Sequence, residues 1–149
     1  MDYQRIIRCL ELNREIFERL LRGKTVEEYL WKPEETSWCI LEIVCHLYDE
    51  EREDFRTRVR QVLENPSLPL PPIDPQGWVR ERSYITQSYD LVVERFLSER
   101  SESVNWLRSL ADPPWENTFY HPRFGPMPAG YFLANWLAHD YLHTRQITR

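Results

Sequence analysis

Between Asn65 and Arg82 the chain carries five prolines, Pro66, Pro69, Pro71, Pro72 and Pro75. Proline lacks an amide donor and its ring clashes with the preceding helical turn, so this stretch is expected to be neither regular helix nor central strand. It is also long for a link between neighbouring helices. A connection of that length can traverse a helical layer from end to end, which decides how the flanking helices can be oriented.

Those flanks have helical periodicity. The first helix is predicted from Asp2, a plausible N-cap, to Arg22, with Ile6, Leu10, Phe17, Leu20 and Leu21 at helical spacing and Gly23 as its stop. After a short irregular link containing Pro33, the second is predicted to begin at an N-cap on Ser37 and to run to Glu64, where Asn65-Pro66 ends it. Its Trp38–Tyr48 half is apolar nearly all round, interrupted only by Glu42 and His46, and should be deeply buried. The third covers Ser88 to Leu110, with Leu91, Val92, Leu107 and Leu110 apolar, before Asp112-Pro113-Pro114. A second irregular segment, Trp115 to Met127, precedes a fourth helix over 128–147 with Pro128 in its first turn. Almost no strand is expected.

Four helices with one long connection between the second and third describe an all-α four-helix bundle with a crossover. The crossover lets helices two and three run parallel. Helices two and four are then antiparallel, with the N-terminal half of helix two beside the C-terminal half of helix four.

At 149 residues, 42% of them hydrophobic, the chain fits one domain over 1–149 with ample material for a core. No apolar run approaches a membrane span and the N-terminus has charge where a signal peptide needs an apolar stretch, so a cytoplasmic location with no membrane partner is the expectation. The odd set Cys9, Cys39 and Cys45 has no Cys-x-x-Cys spacing and reads as reduced, buried thiols. The net charge of -5 comes from acidic and basic residues interleaved along helix faces, as in Arg52-Glu53-Asp54-Phe55-Arg56. Without a basic stripe carrying aromatic platforms, nucleic acid is not an expected partner. A glycine-rich phosphate loop is also absent, and nucleotide chemistry has no support.

Chemistry concentrates in Trp136-Leu-Ala-His139-Asp-Tyr-Leu-His143. Four residues of helix are about 400° of rotation and about 6 Å of rise, so both imidazoles point the same way. His46, in its apolar half-helix, would supply a third nitrogen, completing three corners of a metal site with positions open for water or substrate. A core hydrogen bond from His46 to Glu42 would satisfy that ring equally well. Glu42 and Glu50 flank His46 at four-residue spacing and are candidates to orient its ring, join the metal shell or carry protons, although the Asp-Glu-Glu run around Glu50 reads as a surface face. Asn135, four residues before His139, is a candidate to orient a ligand; His121 reads as a surface residue. The likeness of His139-x-x-x-His143 to a zinc-protease motif fails, because Asp140 is short for a general base and no strand is expected to align a peptide.

Two motifs, Trp38-x-x-x-Glu42-x-x-x-His46-Leu47 and Trp136-x-x-His139-Asp140-x-x-His143-x-x-Gln146-Ile147, in this order and separation, resemble the DinB-like superfamily, related to bacillithiol S-transferases and mycothiol-dependent isomerases. The resemblance spans nearly the whole chain. It implies a four-helix bundle, commonly homodimeric, in which His46, His139 and His143 ligate a divalent metal, zinc or nickel. It further implies a metal-dependent transferase acting on a small-molecule substrate with a low-molecular-weight thiol. A metal-dependent hydrolase and a non-catalytic metal-binding or stress-associated interaction protein are the alternatives. Three neutral imidazoles of ordinary pKa, about 6.5, would release their metal below about pH 6.

Overall fold

A computed structural model describes residues 1–149. Four long helical segments form the bundle: α1 (Tyr3–Leu21), a second segment built from α3 (Ile40–Asp49) and α4 (Arg56–Glu64), α6 (Tyr89–Ser109) and α7 (Ala129–Ile147). Short helices α2 (Val26–Leu30) and α5 (Pro75–Glu81) lie in the links. Asp2 caps α1 by accepting from the Arg5 amide at 2.9 Å, and Gly23, at φ +75°, takes the left-handed conformation that turns the chain away from it.

Which side chains pack together fixes the directions. Ile7 and Leu10 of α1, Val59, Val62 and Leu63 of α4, Val104 and Leu107 of α6, and Ala129, Phe132 and Leu133 of α7 share one core cluster. Phe17 and Leu21, Val44 and Leu47, Val92, Val93 and Phe96, and Ile147 share the other. The second and third long segments are therefore parallel to each other and antiparallel to α1 and α7, as the proline-rich crossover requires. No helix is long and apolar enough to cross a membrane.

Several local expectations are corrected. The second segment starts at Ile40, not after Ser37: Cys39 occupies the cap and its amide donates to Glu42 Oε2 at 2.9 Å, so the carboxylate three residues on does the capping. Between α3 and α4, residues Glu50–Phe55 form a π-helical turn, with the Arg56 amide reaching back five residues to the Glu51 carbonyl. The acidic run there is not a surface face. Asp49, Glu50, Glu51 and Asp54 are all buried. Part of the proline-rich stretch is helical after all, because Pro75 stands in the first turn of α5, where no amide donor is needed, and Asp74 caps it by accepting from the Gly77 amide.

The Trp115–Met127 segment is likewise more regular than expected. Thr118–His121 and Gly125–Pro128 pair antiparallel as β1 and β2, with Gly125 at φ +74° after the turn. His121 organises that turn, its Nδ1 accepting from the amides of Arg123 and Phe124 at 3.0 and 3.1 Å. Cys9 is half-buried while Cys39 and Cys45 are buried, and all three are free.

Candidate metal site

The antiparallel crossing of α3 and α7 brings His46 to His139 and His143. His46 Nε2 is 3.0 Å from His139 Nε2, which is 3.0 Å from His143 Nε2. Each residue offers a nitrogen within 4.8 Å of the others'. His46 and His143 are buried, while His139 is half-buried.

This convergence cannot be satisfied by neutral rings alone. His143 Nδ1 donates to Gln146 Oε1 at 2.7 Å, which leaves its Nε2 as a lone pair. If His139 Nε2 is also a lone pair, it faces that of His143; if it carries the proton, it cannot accept from His46. Either way one of the two 3.0 Å contacts is unmade. Protonating a ring would supply a donor, but burial opposes it, pushing His46 down to about 3, His139 to about 2 and His143 to about 4. Mutual repulsion adds to the effect on His46 and His139. A cation among three Nε2 lone pairs would remove the conflict. Tetrahedral bonds of about 2.0–2.1 Å to nitrogen would place such donors about 3.3 Å apart; two of the three pairs stand at 3.0 Å, and all three residues offer nitrogens within 4.8 Å of one another.

Glu50 lies beside the triad, its Oε2 3.6 Å from His139 Nε2. Burial first, and then Asp54, push its carboxyl up to about 8. Glu42 is turned elsewhere, to the Cys39 amide and to Lys32 Nζ at 2.8 Å, so its hydrogen bonds do not go to His46. Asn135 is half-buried on α7 and makes no side-chain hydrogen bond to any of the three rings.

Next to the triad is a layer that sequence reasoning missed. Arg100 of α6, 1% exposed, donates from Nη1 and Nη2 to Asp140 Oδ2 and Oδ1, both at 2.7 Å, and from Nε and Nη2 to Glu51 Oε1 and Oε2 at 2.8 and 2.9 Å. Asn13 Nδ2 donates to Asp140 Oδ2 and Trp136 Nε1 to Glu51 Oε2, at 2.9 and 3.0 Å. All four long segments meet here, and every buried charge has a partner. The signal was available: Arg100 stands midway between Phe96 and Val104 on the apolar stripe of its helix, a place an arginine occupies only when paired.

A cavity of about 510 Å³ opens between the segment ahead of α3 and the C-terminal end of α7, its lining including Trp31, Trp38, Lys24 and Gln146. Two of these touch the triad: Gln146 holds His143, and the Trp38 ring lies 4.9 Å from that of His46, centroid to centroid.

The same fold occurs in YfiT from Bacillus subtilis, described as a probable metal-dependent hydrolase with an unusual four-helix bundle topology, at a TM-score of 0.85 and 19% identity over 98% of this chain and 83% of that one. It also occurs in the mycothiol-dependent maleylpyruvate isomerase, at a TM-score of 0.77 and 12% identity, over 99% of this chain and 61% of the isomerase. No curated protein matches the sequence. A profile of the DinB superfamily matches residues 10–147, and with both motif halves and the bundle in place, the chain belongs to the DinB superfamily.

Proposed function

We propose that His46, His139 and His143 hold a divalent metal, zinc or nickel, and that the protein is a metal-dependent transferase acting on a small electrophile with a low-molecular-weight thiol. The observation that carries the metal reading is that His139 Nε2 lies 3.0 Å from the Nε2 of both His46 and His143, two contacts that no set of neutral tautomers can satisfy together. A dication held by three uncharged imidazoles keeps its full charge and favours the deprotonated form of a water or thiol beside it. The chain's own part is to hold the rings. Gln146 orients His143, Trp38 packs on His46, and the Arg100 layer fixes Asp140, next to His139, against α6.

The nearby cavity, with tryptophan walls and Lys24 on its lining, suits a small molecule with apolar and anionic parts. The thiol is supported by likeness to an isomerase that depends on mycothiol. Hydrolysis is the second reading, supported by likeness to a probable metal-dependent hydrolase. A homodimer is the proposed assembly, because α1 and α7 leave Leu12, Ile16, Tyr141 and Leu142 exposed.

Elemental analysis of protein purified without a histidine tag tests the metal, with one equivalent expected. Metal-free and reloaded protein, assayed with several thiols and a model electrophile, test the reaction. Thiol consumption indifferent to metal or to His143→Ala would eliminate the transferase, and metal-dependent ester cleavage without thiol would establish the second reading.

A further inference from the structure

The cavity of about 510 Å³ beside the triad is rich in donors that have no acceptor. Lys24 and Arg149 supply its positive charge, and neither makes an ion pair, whereas the nearby Lys32 is held by Glu42 at 2.8 Å. Glu28, the one carboxylate side chain on the lining, is turned to the Thr25 amide at 2.7 Å as part of the cap of α2. Gln146 adds a neutral donor. Its Oε1 is taken by His143 Nδ1, so its Nε2 can only donate, and it donates to no group of the chain. In a chain of net charge -5, a cavity with two basic side chains to one acidic stands against the average.

The apolar part of the lining is just as unspent. Trp31 is 56% exposed although it lies on the cavity wall with the half-buried Trp38. Indoles offer flat apolar faces on which another flat group stacks, and large apolar side chains left open at a cavity mark a binding site.

We infer that the cavity binds a flat, unsaturated carboxylate, its carboxylate group paired with Lys24 and its apolar body against Trp31 and Trp38. The inference rests on the proposed transferase and deepens it by naming the class of its electrophile. The tryptophan walls favour the electrophile over a short aliphatic thiol, which has no flat face to stack.

The test is a titration of the full chain with cinnamate and with its uncharged amide, cinnamamide, before and after metal removal. The indole N–H signals of Trp31 and Trp38, assigned with Trp31→Phe and Trp38→Phe, report binding by nuclear magnetic resonance. Cinnamate should shift both signals in either state and bind more tightly than cinnamamide. Lys24→Met should weaken cinnamate by about tenfold or more, the scale of a hydrogen bond to a charged group, and leave cinnamamide within about twofold. Lys24→Arg should restore most of the loss. Equal affinity for acid and amide, or a Lys24→Met variant that binds cinnamate like wild type, overturns the inference. So does cinnamate binding that needs metal, which would put the carboxylate on the metal, or tighter binding of 3-mercaptopropionate than of cinnamate, which would give the cavity to the thiol. None of these outcomes bears on metal content, which the elemental analysis decides separately.

Discussion

Arg100 and Asp140 face each other as a two-pronged ion pair, Nη1 to Oδ2 and Nη2 to Oδ1, both at 2.7 Å, in the residue position next to His139. The pair divides the core, with Phe17 and Phe96 in the cluster on one side and Trp136 in the cluster on the other. Removing the arginine would leave Glu51 and Asp140 buried without a counter-charge. Arg100→Met, which keeps the length of the side chain, should therefore cost about 3–5 kcal/mol. Urea unfolding of the metal-free protein measures it, and an unchanged midpoint would show that the carboxylates find other partners.

The histidines should behave differently. They lie between two apolar clusters that pack without them, so His143→Ala should leave a folded bundle by circular dichroism. Metal should stabilise wild type and not the variant: at 100 times the dissociation constant, a ligand that binds only the folded state contributes about 2.7 kcal/mol. Thermal unfolding with and without added zinc or nickel reads this. A variant that unfolds where wild type is stable would mean that His143 serves the core instead.

The bundle was legible because its evidence is periodic. Helical stripes, Gly23 after α1 and the proline-rich crossover mark the helices and their directions, and the four-residue spacing of His139 and His143 with His46 on the facing segment marks the triad. What was not legible depends on tertiary partners. Glu50, Glu51 and Asp54 read as surface residues because charge near charge usually is; they are buried because a π turn redirects them and because Arg100 and Arg58, far off in sequence or on the next turn, come to meet them. Ser37 looked like a cap because serine usually is one, but Glu42 caps from inside the helix. The hairpin at 118–128 was hidden by its prolines, which stand at the edges of a short pair where no further strand needs their amides.

Self-association is expected through α1 and α7. Leu12, Ile16, Tyr141 and Leu142 are each about half exposed, at 53, 44, 53 and 52%. Light scattering at micromolar concentration should give about twice the monomer mass, and Leu142→Glu should return it to one. A monomeric wild type would remove the dimer without touching the site.

Stability of the metal-free protein should peak near neutrality, because two kinds of buried group oppose each other. The histidines are depressed from 6.5 to between about 2 and 4, so as pH falls through 6.5 the unfolded chain gains protons the folded one refuses, and stability drops. Glu50 is raised from 4.5 to about 8, so its contribution is whole below 4.5 and is lost as pH rises toward 8. Three groups outweigh one on the acid side, and above pH 6.5 only the Glu50 slope remains of the two. Glu50→Gln should flatten the decline between pH 6.5 and 8 in urea midpoints; an equal decline in the variant would assign it to other groups.

Retention of metal in acid distinguishes a preorganised site from three ordinary imidazoles. Free histidines of pKa about 6.5 would surrender metal below about pH 6, the expectation from sequence. In the fold, burial already holds the rings neutral down to about pH 4, set by His143, the most easily protonated of the three. Protons therefore compete weakly while the bundle stands, and a bound dication opposes protonation further. Metal content after dialysis at pH 5 should match that at pH 7, and release should coincide with loss of the helical signal at lower pH. Release between pH 5 and 6 from a bundle still folded would show that the rings titrate as exposed ones, and the preorganised triad would have to be abandoned.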